Sequence, residues 1–195
     1  MHMQKTFTWK EFLESARSFI DISEKLGDTW KLIEKSFEEG SSYLTYEQKI
    51  KCKFDVPVDQ SFENFVENIE NEDEASLAHN DELIRIEYHV VYSISYQIPI
   101  LYFRAYKSDG SMVCLEESWK LFTDATKSIY SKSDMLSILT QMEHPILYKP
   151  FLALHPCKTA EILGNSPQSK NFILTFLSVM GPFVQLKLTN DYGVL

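Results

Sequence analysis

The chain has 195 residues, about one domain at ~150 residues per domain, and its 44% hydrophobic and 24% charged residues exclude general disorder and a collagen-like chain. Its net charge of −9 has a local source: residues 55–82 hold ten acidic side chains and no Lys or Arg, while the rest carries 18 acids against 19 bases. With no basic stripe to neutralise phosphates, nucleic acid is excluded as the main partner.

The longest apolar stretch, residues 172–186, is broken by Gly181, Pro182 and Gln185 and falls short of the ~20 residues that span a bilayer, so no stable membrane insertion is expected. Lys5, Lys10 and Glu11 interrupt the N-terminus before any apolar run, so no secretory signal is expected. The three cysteines are an odd number without CxxC spacing, which points to a reducing, cytoplasmic setting with no disulfide scaffold and no structural zinc.

Residues 8–37 open with helical spacing: Phe12, Ala16, Phe19, Ile20 and Ile22 form one apolar stripe that Trp30, Ile33 and Phe37 continue. The spacing predicts a helix ending near Lys25, followed by a turn at Gly27 and Asp28. Over 43–54, Tyr46, Gln48, Ile50, Cys52 and Phe54 alternate with Glu47 and three lysines, the pattern of a half-buried antiparallel strand. The acidic stretch 56–82 reads as a solvated loop inserted into a single domain of residues 1–195, with Phe62, Phe65, Val66 and Ile69 able to form one helical turn.

Residues 83–95 and 98–106 are β-branched and aromatic. A hairpin turn at 107–110 then leads to a strand at 111–115, which completes a four-stranded antiparallel meander. Residues 116–126 read as a helix with Trp119, Leu121 and Phe122 on its apolar face, and periodicity leaves 134–143 open between helix and strand. A short apolar run over 147–154 enters His155-Pro156-Cys157-Lys158-Thr159. A helix is expected from Thr159 to Leu163, ended by Gly164, and another from Asn171 to Met180, stopped by Gly181-Pro182. The fold class is α+β: an N-terminal helix, the meander, and C-terminal helices.

Core packing is the expectation for Cys52, on the apolar side of its strand, and for Cys114, because free Cys is among the most buried residue types. Cys157 differs. Pro156 cannot continue a central strand, so the thiol sits at a strand exit just before a helix, where free amides, the helix dipole and Lys158 favour a thiolate. His155, two residues away on extended chain, points to the same side as Cys157 and lacks the opposed geometry of a nucleophile–base pair; His144 is the other candidate base. No Asp or Asn stands out as the orienting third group. A metal site from His144, His155 and Cys157 lacks regular ligand spacing. Thioester carrier chemistry, which needs no dedicated base, fits better.

Four blocks then resemble one family in order: EYHVVYSISYQIPILYFRAY at 87–106, EHPIL at 143–147, LHPCKT at 154–159 and LSVMGP at 177–182. They are similar to the autophagy-related protein 10 family of ubiquitin-like-conjugating enzymes, with the lipid-conjugating autophagy-related protein 3 as a more distant relative. The resemblance implies a ubiquitin-conjugating-enzyme-like fold. It also implies that Cys157 accepts autophagy-related protein 12 as a glycyl thioester from the activating enzyme, autophagy-related protein 7, and passes it to a lysine of autophagy-related protein 5. No cofactor or resident metal is implied. Ordinary ubiquitin-conjugating enzymes carry His-Pro-Asn upstream of the cysteine; here the run is His144-Pro145-Ile146, and Ile146 has no donor for an oxyanion. Tyr96 is the candidate replacement, and His155 and His144 are candidate supporting residues. The alternatives are a lipid-conjugating enzyme, or a non-catalytic module of the same fold in which Cys157 is structural.

Overall fold

The computed structural model describes residues 7–36, 38–53, 81–115, 117–121, 138–157, 159, 163 and 170–193. Helix α1, Trp9–Lys25, begins where Thr8 and Glu11 form a reciprocal cap. The Glu11 amide donates to Thr8 Oγ1 (3.2 Å), and the Thr8 amide donates to Glu11 Oε2 (2.8 Å). Phe12, Ala16, Phe19 and Ser23 are its buried face, with Ile20 and Ile22 packed at the margin. The helix stops as expected: Gly27 adopts φ +70°, a left-handed turn that a Cβ disfavours.

Beyond this turn the helical stripe gives way to extended chain. Strand β1, Lys31–Glu34, pairs antiparallel with β2, Ser42–Lys53, and Trp30 stacks on Tyr46 at 4.8 Å. Four residues are too few for alternation to show against the helical spacing beside them. Strands β3, Asp81–Ser93, and β4, Ile98–Tyr106, pair as the sequence predicts. Lys53 pairs with Asp81, so the chain leaves β2 and re-enters β3 at paired residues. The acidic stretch between them, with its proposed helical turn at Phe62 to Ile69, lies outside the described residues.

The expected four-stranded meander is instead part of a six-stranded antiparallel sheet of order β1-β2-β3-β4-β6-β5. Strand β5 is Leu139–Glu143 and β6 is Pro150–Leu154. The expected strand at 111–115 is reduced to a single bridge, Tyr106 to Met112. Past it the chain bends into a 3₁₀ helix, Glu117–Leu121, because Cys114 O accepts from the Ser118 amide (3.0 Å) and Glu117 accepts from the Cys114 amide (3.0 Å). Cys114 is therefore exposed rather than packed in the core; Cys52 is half-buried against the core, as its strand position predicts. Beyond Leu121 the expected helix of 116–126 falls outside the described residues.

Helix α2, Phe172–Met180, is capped by Asn171, whose Oδ1 accepts from the Leu174 amide (3.1 Å) while its Nδ2 donates to Ser15 O on α1 (2.8 Å). Both helices cover one face of the sheet, where Leu44, Tyr88, Leu101 and Phe103 are fully buried against Phe12, Phe19 and Phe176. Gly181 lets the chain turn back, since a Cβ there would lie 2.6 Å from Leu186 O. Among the described residues no helix is long and apolar enough to cross a membrane.

Candidate active site around Cys157

The register of β4 and β6 locates the site. Tyr102 pairs with Ala153 and Phe103 with Leu152, so β6 runs its C-terminal end toward Ile98, the start of β4. The exit of β6 into His155, Pro156 and Cys157 therefore lies at the same end of the sheet as the 93–97 turn that carries Tyr96.

Pro156 and Cys157 are already helical, three residues before the expected start at Thr159, and the Thr159 amide donates to His155 O (3.1 Å). Proline suits this place because its missing N–H is one a helix start leaves unpaired. The backbone around the thiol is pinned from three directions. The His155 amide donates to Ile138 O (2.6 Å), Thr159 Oγ1 donates to His155 O (3.2 Å), and the Cys157 amide donates to His155 Nδ1 (3.2 Å). Pro156 and Thr159 are buried, while Cys157 is exposed. His155 thus spends Nδ1 on the backbone of the turn, which makes it a cap for the cysteine's own amide.

Tyr96 sits in a tight turn closed by the Gln97 amide on Ser93 O (2.7 Å), with Gln97 at φ 53°. Its ring is 48% exposed, so it is free to meet a second molecule rather than packed across strands.

His144 is elsewhere. It follows β5 at the end remote from Leu139, and Leu139 is the residue that pairs with Leu154 beside the site. The four residue steps of β6 put roughly 13 Å between the two ends. Its ring is fully buried and both nitrogens are engaged: Nδ1 accepts from the amides of Ile146 and Leu147 (3.2 Å each), and Nε2 lies 3.0 Å from His89 Nδ1. Burial, together with nearby His89 and Arg104, pushes its pKa down to about 3. His144 is neither a base for Cys157 nor part of a metal triad with it. Among the described residues no group of three His, Cys, Asp or Glu side chains could hold a metal ion. Ile146 contributes only its amide, which is already bonded. Sequence reasoning passed over His89 and Glu87; the available signal was a lone histidine in the apolar run Tyr88–Tyr92, two residues after a carboxylate.

An exposed thiol on a hydrogen-bonded turn, with no base in contact among the described residues, can exchange thioesters and present an acyl group to an incoming amine. The family model described as "Autophagocytosis associated protein, active-site domain" matches residues 11–191. The human ubiquitin-like-conjugating enzyme ATG10 is 34% identical over 204 residues, covering 94% of this chain and 91% of that protein. The Arabidopsis thaliana protein of the same name is 28% identical over 212 residues, covering 89% and 92%. A solved structure titled "Crystal structure of Autophagic E2, Atg10" has a similar fold, with TM-score 0.51 and 14% identity over 94% of this chain and 100% of that one.

Proposed function

Because the chain belongs to the autophagocytosis-associated active-site-domain family and is a ubiquitin-like-conjugating enzyme of autophagy, a transferase, we propose that Cys157 carries its ubiquitin-like protein as a thioester. In the first step the Cys157 thiolate attacks the C-terminal glycyl carbonyl held on the activating enzyme. The new C–Sγ bond forms, the old C–S bond breaks, and the activating enzyme leaves as thiolate. In the second step a neutral lysine amine of the acceptor attacks the same carbonyl. An amide forms, Cys157 leaves as thiolate, and the extra ammonium proton passes to water.

In this reading the donor is autophagy-related protein 12, the activating enzyme is autophagy-related protein 7, and the acceptor is autophagy-related protein 5, all in the cytoplasm. The observation that carries it is an exposed cysteine whose flanking backbone is pinned within the matched region. Tyr96 is the proposed donor to the oxyanion of each tetrahedral intermediate, since its phenol is exposed at the same end of the sheet and Ile146 has no side-chain donor. His155 supports the site through the Cys157 amide. A lipid acceptor is disfavoured because α1 spends Phe12, Ala16 and Phe19 on the core. With no base in contact with the thiol among the described residues, selection of the acceptor rests on positioning one lysine at the thioester.

Incubation with the activating enzyme, ATP and the ubiquitin-like protein should give an adduct on Cys157 that a reducing agent cleaves. Absence of that adduct, with the activating enzyme itself charged, would overturn the carrier role.

A further inference from the structure

The buried histidines His89 and His144 have no part in the thioester chemistry, yet their protons are ordered from end to end. Two amides donate to His144 Nδ1, so that nitrogen bears a lone pair and the ring proton sits on Nε2. Nε2–H then donates to His89 Nδ1 at 3.0 Å, which leaves the His89 proton on Nε2, 3.0 Å from Glu87 Oε1. Each donor meets an acceptor in this arrangement alone. Both rings are buried, and the Glu87 carboxylate at the end of the chain is partly exposed.

The strand that leads to the thiol depends on this cluster. Strand β6 pairs with β4 at only two residues, Ala153 and Leu152. At its start, the Arg104 guanidinium donates to Pro150 O (2.9 and 2.7 Å) and lies 3.9 Å over the Phe151 ring. Phe151 in turn packs on His89 (5.1 Å) and His144 (4.9 Å). Four residues further on, the strand delivers His155 and Cys157.

We propose that the Glu87–His89–His144 chain is a positioning device for Cys157: it locks the turn between β5 and β6 onto the sheet, and it works only while both imidazoles are neutral. This rests on the reading of Cys157 as the thioester carrier. A proton added to His144 sets an N–H against the Ile146 and Leu147 amides, and a proton added to His89 sets N–H against N–H. The groups facing the pair are Tyr43 from β2, Glu87 from β3, Tyr102 and Arg104 from β4, Phe151 from β6, and Lys35 after β1. Burial first, then His89 and Arg104, disfavour a charged His144; Glu87 opposes them less strongly than Arg104 acts, and Lys35 adds least. Because the closed cluster disfavours a charged His144 while the opened turn does not, the device holds at neutral pH and opens more readily as pH falls below about 6.5, the unfolded histidine value.

The test uses the full chain and three variants: Glu87→Leu, which alters a partly exposed side chain and spares the core; His144→Phe, which keeps ring volume; and Glu87→Gln, which keeps an acceptor for His89. Amide exchange resolved by peptide and the rate of charging at Cys157 are measured at pH 7.5 and 5.5. Glu87→Leu and His144→Phe should speed exchange over residues 139–157 about tenfold, leave 42–50 and 84–92 unchanged, and slow charging about tenfold. Glu87→Gln should stay within twofold of wild type at pH 7.5, and wild type at pH 5.5 should move toward His144→Phe. Unchanged exchange and charging in Glu87→Leu and His144→Phe would overturn the proposal, as would equal loss in Glu87→Gln and Glu87→Leu. A wild-type chain that never charges overturns the carrier reading alone; exchange and the rate at which iodoacetamide alkylates Cys157 then decide the relay.

Discussion

The two faces of the sheet solve the same burial problem with different chemistry. On the helix-covered face, Tyr88, Phe103, Leu44 and Ile86 meet α1 and α2, and the core extends from Phe7 to Tyr192. On the other face a small cluster of Tyr43, Val91, Ile100, Tyr102, Phe151 and Ala153 encloses two histidines and is roofed by the 144–147 turn. The first face is apolar and long in reach, so it fixes the whole fold. The second is polar at its centre and local, so it fixes one hairpin, and that hairpin leads to Cys157. Stability and positioning are thereby assigned to opposite sides of one sheet.

The sharpest way to break the comparison is to delete a ring on each face. Phe103→Ala, at a fully buried site under the helices, should cost about 3–5 kcal/mol in denaturant unfolding. Phe151→Ala should instead speed amide exchange chiefly in β5 and β6 while β2 and β3 stay protected. Equal loss of protection across the sheet in both variants would erase the distinction.

Acid should act on the second face first. His144 has a folded pKa of about 3, below its unfolded value. The folded chain therefore binds fewer protons than the unfolded one between roughly pH 6.5 and 3, and stability falls as pH drops through that window. Glu87 is lowered by its hydrogen bond from His89 and adds a loss in the same direction at lower pH. Thermal melts should show this slope in wild type and a shallower one in His144→Phe.

A smaller effect sharpens the first face. The Tyr88 hydroxyl donates to Val184 O (2.7 Å) and accepts from Gln48 Nε2 (2.8 Å), so Tyr88→Phe should cost about 1–2 kcal/mol without altering Cys157 charging. Smallest of all, replacing residues 58–80 with a short Gly/Ser loop should leave the melting temperature nearly unchanged. The connection joins residues that are already paired, and loop closure costs only ~0.6 kcal/mol per doubling of length. Cooperative collapse of that variant would mean Phe62 and Phe65 belong to the first face.

Legibility in the sequence followed the same physics. Helix α1 and strand β2 were readable because each buries mainly one side, so Phe12, Ala16 and Phe19 or Tyr46, Gln48 and Ile50 recur at the element's own period; β3 and β4, buried on both sides over 88–92 and 99–103, were readable from their β-branched and aromatic content. Strand β6 showed only as an apolar run with a strand exit before Cys157, and its place in the sheet was missed, because Phe151 to Leu154 are buried on both sides and alternation disappears. The missing fourth strand was lost to a local competitor, the Glu117 and Ser118 bonds that turn the chain at Cys114. At the site, Pro156 and the sequence neighbours are what single out Cys157. The contact of His144 with His89 spans 55 residues, and no spacing rule reaches that far.

The central claim is that Cys157 is the acyl carrier, and Cys157→Ser tests it most directly. A serine alkoxide is a poorer leaving group than a thiolate, so charging of this variant should give an adduct that survives reducing agent and barely discharges to the acceptor. Cys157→Ser that still yields a reducible adduct and full conjugate would contradict the account.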